Sequence, residues 1–179
     1  NKALGTKHQK LMPDTAIVIP AWNEAATIRS VVKSVLALGR VIVVDDASTD
    51  DTGRIAEEAG AVVVTHSANK GYDGALNSGF AKADELGVEF IITFDADGQH
   101  ARDDVDAILQ HLRGGAAMVV GVRPSRARFA EKVFAFVTQQ LYGLQDPLCG
   151  LKGYRLSLYR QAGCFDSCTS IGSQLAIYG

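Results

Sequence analysis

The sequence predicts an α/β fold, a mostly parallel central sheet with helices on both faces, and three observations carry that prediction. Five short β-branched runs alternate with longer amphipathic stretches, each run is continuously apolar, and three of the runs end in polar clusters. The runs are 15–20 (TAIVIP), 41–45 (VIVVD), 61–65 (AVVVT), 90–94 (FIITF) and 117–121 (AMVVG). A strand covered on both faces has no side turned to water, so it needs no polar alternation. Between them, residues 25–38 put Ile28, Val31, Val32, Val35 and Leu36 on one helical stripe, and Gly39 stands where a left-handed cap would end that helix. Ser48-Thr49-Asp50-Asp51 has the spacing of a capping box before a helix through Ala59, closed by Gly60. Helices over 72–86 and 103–112 complete the set. Past Gly121 the βα pattern gives way to a basic and aromatic stretch, then to DPLCGLKGYR and a short helix.

Composition bounds the function. A chain of 179 residues, 47% hydrophobic, is read as one domain over 15–179 behind a flexible polar leader at 1–14. Eighteen basic against twenty acidic side chains exclude nucleic acid as a bulk partner, so an anionic ligand needs a local site. Cys149, Cys164 and Cys168 form an odd set without a CxxC pair, which suits a reducing compartment and argues against a zinc site. No window reaches the roughly eighteen apolar residues of a membrane span. The expectation is a cytoplasmic protein, free or peripheral at the cytoplasmic face of a membrane.

In a parallel sheet, ligands bind outside the carboxyl ends of the strands, where this sequence places its polar clusters. The first run leads into Pro20-Ala21-Trp22-Asn23-Glu24, the second into Asp45-Asp46-Ala47-Ser48-Thr49-Asp50, the fourth into Asp95-Ala96-Asp97-Gly98-Gln99-His100. Acidic groups gathered on one edge of a nearly neutral protein repel unless they bind donors or a cation. If strand geometry continues past Phe94, Asp95 and Asp97 point to one side, with the small Ala96 between them. Two such carboxylates, with Gln99 as a third oxygen, make a hard site suited to Mg²⁺ or Mn²⁺ that bridges a diphosphate. The plain alternative is an Asx turn followed by a helix cap. Asp46 is the better ligand candidate of its pair, since one of Asp45 and Asp46 is also placed to cap the following helix. His100 is the one histidine near this edge; it positions phosphate or is structural.

These segments in this order, IVIPAWNEAATI, VIVVDDASTDDT, HSANKGYDGALNSGF, FIITFDADGQH, GVR and DPLCGLKGYR, resemble the large inverting glycosyltransferase family that includes the dolichol-phosphate mannosyltransferases and bacterial polyprenyl-phosphate glycosyltransferases. The resemblance runs from Thr15 to the end. It implies a GT-A-like, Rossmann-type three-layer α/β/α fold, with a nucleotide-binding part over about 15–121 and an acceptor part over about 122–179. Pro20, Trp22 and Glu24 match a turn that cradles base and ribose, with Trp22 where Tyr is usual. Asp46 matches the carboxylate that contacts the base, and Asp45 beside it is counted with the nucleotide-sugar-binding residues. Asp95, Ala96, Asp97 and Gln99 match the metal and diphosphate shell. Lys70 and Gly71 match the tight turn that lets the next helix approach the nucleotide. Arg123 matches an arginine that looks toward the donor and acceptor phosphates, although Val122 replaces the usual Ser. Cys149-Gly150-Leu151-Lys152 matches an acceptor-side signature and makes Lys152 the second cationic candidate. For Arg123 and Lys152 the plain alternative is a solvated surface charge.

The resemblance also implies a mechanism. A sugar-alcohol acceptor needs a general base, and Gln174 stands where relatives often carry Glu. A phosphate acceptor is already ionised and needs only cations. The expected reaction is in-line transfer, with inversion, of a hexose from a nucleotide-diphosphate sugar to a polyprenyl or dolichyl phosphate, with Asp97, Arg123 and Lys152 as the catalytic set. Phe129, Val133, Phe134, Phe136, Val137 and Leu141, flanked by Arg126, Arg128 and Lys132, suit an anionic membrane surface or an ordinary core helix. Competing classes are a transferase with a hydroxyl acceptor, a sugar-1-phosphate nucleotidyltransferase, which would want a Gly-rich, Arg-containing loop after the first strand, and a non-catalytic nucleotide-sugar-binding module. A dinucleotide-dependent dehydrogenase is excluded, because no GxGxxG opens the first helix. The nucleotide, the sugar and the oligomeric state are not legible in the residues.

Overall fold

A computed structural model describes residues 14–97, 102–121, 149–163 and 165. Strand β1 (Thr15–Ala21) is central, pairing in parallel with β2 (Arg40–Asp45) on one side and β4 (Phe90–Thr93) on the other. Strand β3 (Val62–Thr65) extends the parallel sheet beyond β2. On the far side, β6 (Lys152–Arg155) runs antiparallel between β4 and β5 (Met118–Val120). The sheet order is β3-β2-β1-β4-β6-β5. Residues 122–148, where the βα pattern was expected to give way, lie outside the described residues; the next described element, β6, is a returning strand inserted antiparallel into the sheet.

Helices α1 (Ile28–Val35), α2 (Thr52–Glu58) and α4 (Arg102–Arg113) cover one face, while α3 (Gly71–Glu85) and α5 (Leu156–Ala162) cover the other. Successive strand residues feed opposite layers: Ile17, Ile19, Val41 and Val43 pack toward α1 and α4, while Ala16, Val18, Ile42 and Val44 pack toward α3. Both layers are fully apolar, which is why the inner strands read as unbroken hydrophobic runs. The outer ones differ. Val62 is 38% exposed and β5 is half-buried throughout, because an edge strand lacks a neighbour and part of its cover. The expectation that all five runs are covered on both faces holds for β1, β2 and β4 only.

Two local expectations are corrected. Helix α1 ends at Val35, and Gly39 is not in the left-handed region; a Cβ there would lie 2.6 Å from the Thr15 carbonyl oxygen. Gly39 is needed for the close approach of the α1–β2 turn to β1. Gly39→Ala is expected to cost about 1–3 kcal/mol through overpacking, read by urea unfolding. No capping box forms at α2 either: its N-cap Asp51 makes no side-chain cap bond, and the neighbouring Asp50 Oδ1 accepts the Thr52 N–H at 3.0 Å instead. Gly60, by contrast, is left-handed as expected, with φ of 106°.

Helix α3 needs small residues to reach the sheet. A Cβ on Gly79 would overlap the Val18 side chain and come within 3.3 Å of Val44 Cγ2. That approach sets the start of α3 beside the carboxyl ends of β1 and β2. Among the described residues, no helix is long and apolar enough to cross a membrane.

Candidate functional site

The carboxyl edge is built from two interlocked loops. After β1 the chain turns at Asn23, and after β2 at Ala47, both left-handed with φ of 57° and 61°. Asn tolerates this region, whereas Ala pays on the order of 1 kcal/mol for it. Cross-loop bonds hold the pair: Asn23 N–H donates to Ser48 Oγ at 2.9 Å, Thr49 N–H to Asn23 Oδ1 at 2.8 Å, and Glu24 N–H to Thr52 Oγ1 at 2.7 Å. Ala25 N–H donates to Asp50 Oδ2 at 3.2 Å.

The acidic groups on this edge are largely answered by protein donors. Glu24 accepts the Thr27 hydroxyl at 2.8 Å. Asp45 accepts the Ser48 N–H at 2.9 Å and lies against Gly53, where a Cβ would come within 2.6 Å of its Oδ2. Asp46, 4% exposed, receives Lys70 N–H at 2.8 Å and His66 Nδ1 at 2.6 Å on Oδ1, and Gly71 N–H at 2.8 Å on Oδ2. Burial is the largest single influence on Asp46 and raises its pKa. The combined bonds from Lys70, His66 and Gly71 outweigh it, so the carboxyl stays ionised below its ordinary range. Gly71, at φ 75°, supplies the turn that aims two consecutive N–H groups at one carboxylate.

Above Asp46 lies an open cleft of about 340 Å³, lined by Pro20, Ala21, Trp22, Asn69, Tyr72 and Ala75 together with Asp46 and Gly71. Trp22 is 58% exposed, an aromatic face left to solvent at the rim. Pro20, Trp22, Asp46 and Gly71 are thus brought together around one cleft. Lys70 contributes its N–H to Asp46 from the same turn, Glu24 faces Thr27, and the Asp45 carboxylate is turned into its own loop.

The second half of the edge depends on β6. Strand β4 ends at Thr93, and the chain turns at Ala96 and Asp97, so strand alternation does not extend through Asp95 and Asp97. Ala96 is buried in the core, Asp95 is half-buried and Asp97 is exposed. The antiparallel register pairs Thr93 with Lys152, and two residues further Asp95 meets Gly150. A Cβ on Gly150 would overlap the Asp95 carboxylate, while Thr93 Oγ1 bonds the Gly150 carbonyl at 2.6 Å. Asp95 Oδ1 also receives the Tyr72 hydroxyl at 3.3 Å. Burial first, and then the Asp95 charge, hold that hydroxyl well above its ordinary pKa, so it stays a donor. Gly150→Ala must displace Asp95, and stability is expected to fall by about 1–3 kcal/mol through overpacking, read by thermal unfolding. Lys152 is 4% exposed, which removes the alternative of a solvated surface charge.

Among the described residues no group of three or more His, Cys, Asp and Glu side chains forms a metal cage. A divalent ion beside a diphosphate needs no such cage, because Mg²⁺ and Mn²⁺ are held by one or two protein carboxylates and take the rest from water and phosphate. Gln99, His100, Arg123, the apolar stretch at 126–142, Cys164, Cys168 and Gln174 lie outside the described residues. Sequence reasoning missed Asn69 and Tyr72, which line the cleft, and His66, which was counted among histidines away from the site and stands directly behind Asp46. The signal for His66 was position, since it follows the last residue of β3 at the same carboxyl edge.

A mostly parallel sheet of this order, carrying its cleft over the carboxyl edge, has the GT-A architecture of the solved glycosyltransferases it superposes on. More particularly, the chain belongs to glycosyl transferase family 2, whose sequence model matches residues 16–163. It is 31% identical over 173 residues to a UDP-N-acetylglucosamine–dolichyl-phosphate N-acetylglucosaminyltransferase from Methanococcus voltae, covering 79% of this chain and 69% of that one. It is also 31% identical over 118 residues to the polyprenol monophosphomannose synthase of Mycolicibacterium smegmatis, covering 61% and 44%. Glucosyl-3-phosphoglycerate synthase from Mycobacterium tuberculosis, solved with Mn²⁺, UDP-glucose and phosphoglyceric acid, superposes with a TM-score of 0.65 at 26% identity over 80% of this chain and 57% of that one. The chain spans about half or less of several other curated relatives.

Proposed function

We propose that the protein transfers a hexose from a nucleotide-diphosphate sugar, of the GDP-mannose or UDP-glucose type, to a polyprenyl or dolichyl phosphate at the cytoplasmic face of a membrane. The observation that carries this reading is the cleft in which a buried, ionised Asp46 faces an exposed Trp22, with Asp95 and Asp97 at the neighbouring strand end. A base stacks on Trp22 and donates to Asp46, which leaves the diphosphate directed along the edge toward β4. Asp95, Asp97 and Gln99 are the residues that would hold Mg²⁺ or Mn²⁺, which supplies Lewis-acid stabilisation of the leaving diphosphate.

The remaining work falls to the chain itself. The dianionic acceptor needs no proton removed, so Arg123 and Lys152 have only to bind and orient it for attack opposite the leaving group. The names of the archaeal and mycobacterial relatives, which act on dolichyl phosphate and make polyprenol monophosphomannose, support this acceptor class. Labelled UDP-N-acetylglucosamine, UDP-glucose and GDP-mannose, each incubated with Mn²⁺ and either polyprenyl phosphate or the free polyprenol, test it. Label should enter the organic phase with the phosphate alone. Equal labelling of the polyprenol would favour a hydroxyl acceptor and overturn the base-free mechanism, and labelling of neither would reject the lipid acceptor.

A further inference from the structure

Asp46 has little hydrogen-bonding capacity left. An ionised carboxylate offers about four acceptor positions. Lys70 N–H and the His66 ring fill two on Oδ1, and Gly71 N–H fills one on Oδ2. One position remains. Because the carboxylate can only accept, His66 Nδ1 carries the proton, and Nε2 is left to pair with Ser78 Oγ at 2.8 Å on α3. His66 is itself anchored, with its N–H on the Asp45 carbonyl at 2.9 Å and only 7% of its surface exposed. The sequence Ser78–His66–Asp46 is therefore a buried clamp that commits one oxygen of the base-facing carboxylate to the protein.

We infer that His66 is a positioning residue that sets base selectivity, leaving Asp46 a single acceptor matched to the lone imide N–H of uracil and unable to take the paired donors of guanine. The inference rests on the cleft being the nucleotide site. Uracil presents one N–H between two carbonyl oxygens, which one open position satisfies. Guanine presents N1–H and an N2 amino hydrogen side by side, a pair that wants both oxygens of a carboxylate. With Oδ1 filled, one of those donors would be buried without a partner. Cytosine and adenine lack an imide N–H and would turn a ring-nitrogen lone pair toward the anion.

Titration calorimetry of the intact chain with Mn²⁺ present tests this, using UDP, N3-methyl-UDP, GDP and inorganic pyrophosphate. UDP should bind about tenfold or more tighter than GDP and than N3-methyl-UDP, the factor expected for one hydrogen bond to a charged group. His66→Ala should bring the UDP-to-GDP ratio down by about tenfold while pyrophosphate binding stays the same. His66→Asn, whose amide N–H can still reach a carboxylate, should restore part of the preference. A merely structural histidine would weaken all ligands alike, and that result overturns the inference. Equal or tighter binding of GDP by the native chain overturns it as well while leaving the nucleotide site standing. Failure of both nucleotides to bind where pyrophosphate binds rejects the base site and the inference with it. Should His66→Ala fail to fold, His66→Leu, which fills the same space without a donor, takes its place in the UDP, GDP and pyrophosphate comparison, and an unchanged UDP-to-GDP ratio there overturns the inference.

Discussion

Asp97→Asn is expected to abolish sugar transfer, by about a thousandfold or more, while leaving the melting temperature where it was. Asp97 is exposed, and an isosteric amide on a surface turn changes stability by no more than about 0.5 kcal/mol. Catalysis is another matter. In the proposed mechanism the carboxylate would help hold the cation that stabilises the leaving diphosphate, and losing several kcal/mol of charge stabilisation in the transition state gives a factor of that order. The measurement is initial rate against Mn²⁺ concentration, alongside a thermal melt. Substantial transfer by the native chain in EDTA would sink the role assigned to Asp97.

The same substitution at Asp46 should fail differently. Asp46→Asn puts an amide NH₂ where three N–H groups already converge, so at least one donor must face another donor in a site only 4% exposed. The expected cost is about 3 kcal/mol, or a melting temperature lowered by about 10 °C. Nucleotide binding should be lost with it. The variant also has a pH signature. Asp46 has its pKa lowered in the folded state below the ordinary 3.8, so its stabilisation is present above that value and is lost as the pH falls through the folded pKa. Native protein should therefore lose stability on acidification below about pH 4 more steeply than Asp46→Asn, which has no such proton to take up. Parallel acid limbs in the two proteins would show that Asp46 does not carry this linkage.

Much of the edge was legible as chemistry before it was legible as geometry. The polar clusters after the first, second and fourth runs marked the side on which the cleft lies, because a continuous apolar strand leaves its polar residues nowhere else to go. The partners of those residues were not legible. Asp46 and Asp45 are adjacent, yet one faces the cleft and the other its own loop, a choice made by the left-handed turn at Ala47 and by donors arriving from 20 to 25 residues away. Gly39 illustrates the converse error. Its place after a helix suggested a cap, but the carbonyl of Thr15, brought alongside by the sheet, is what excludes a side chain there.

The sequence by itself determined the class of fold, the gathering of polar clusters at the carboxyl edge, and the family, because these follow from periodicity and from short contiguous motifs that need no partner. The tertiary structure decided that β6 returns antiparallel between β4 and β5, laying Gly150 beneath Asp95 and burying Lys152, and that His66 and Ser78 back Asp46. Those are contacts between residues distant along the chain. Their energies depend on strand order and register, which local preference does not encode.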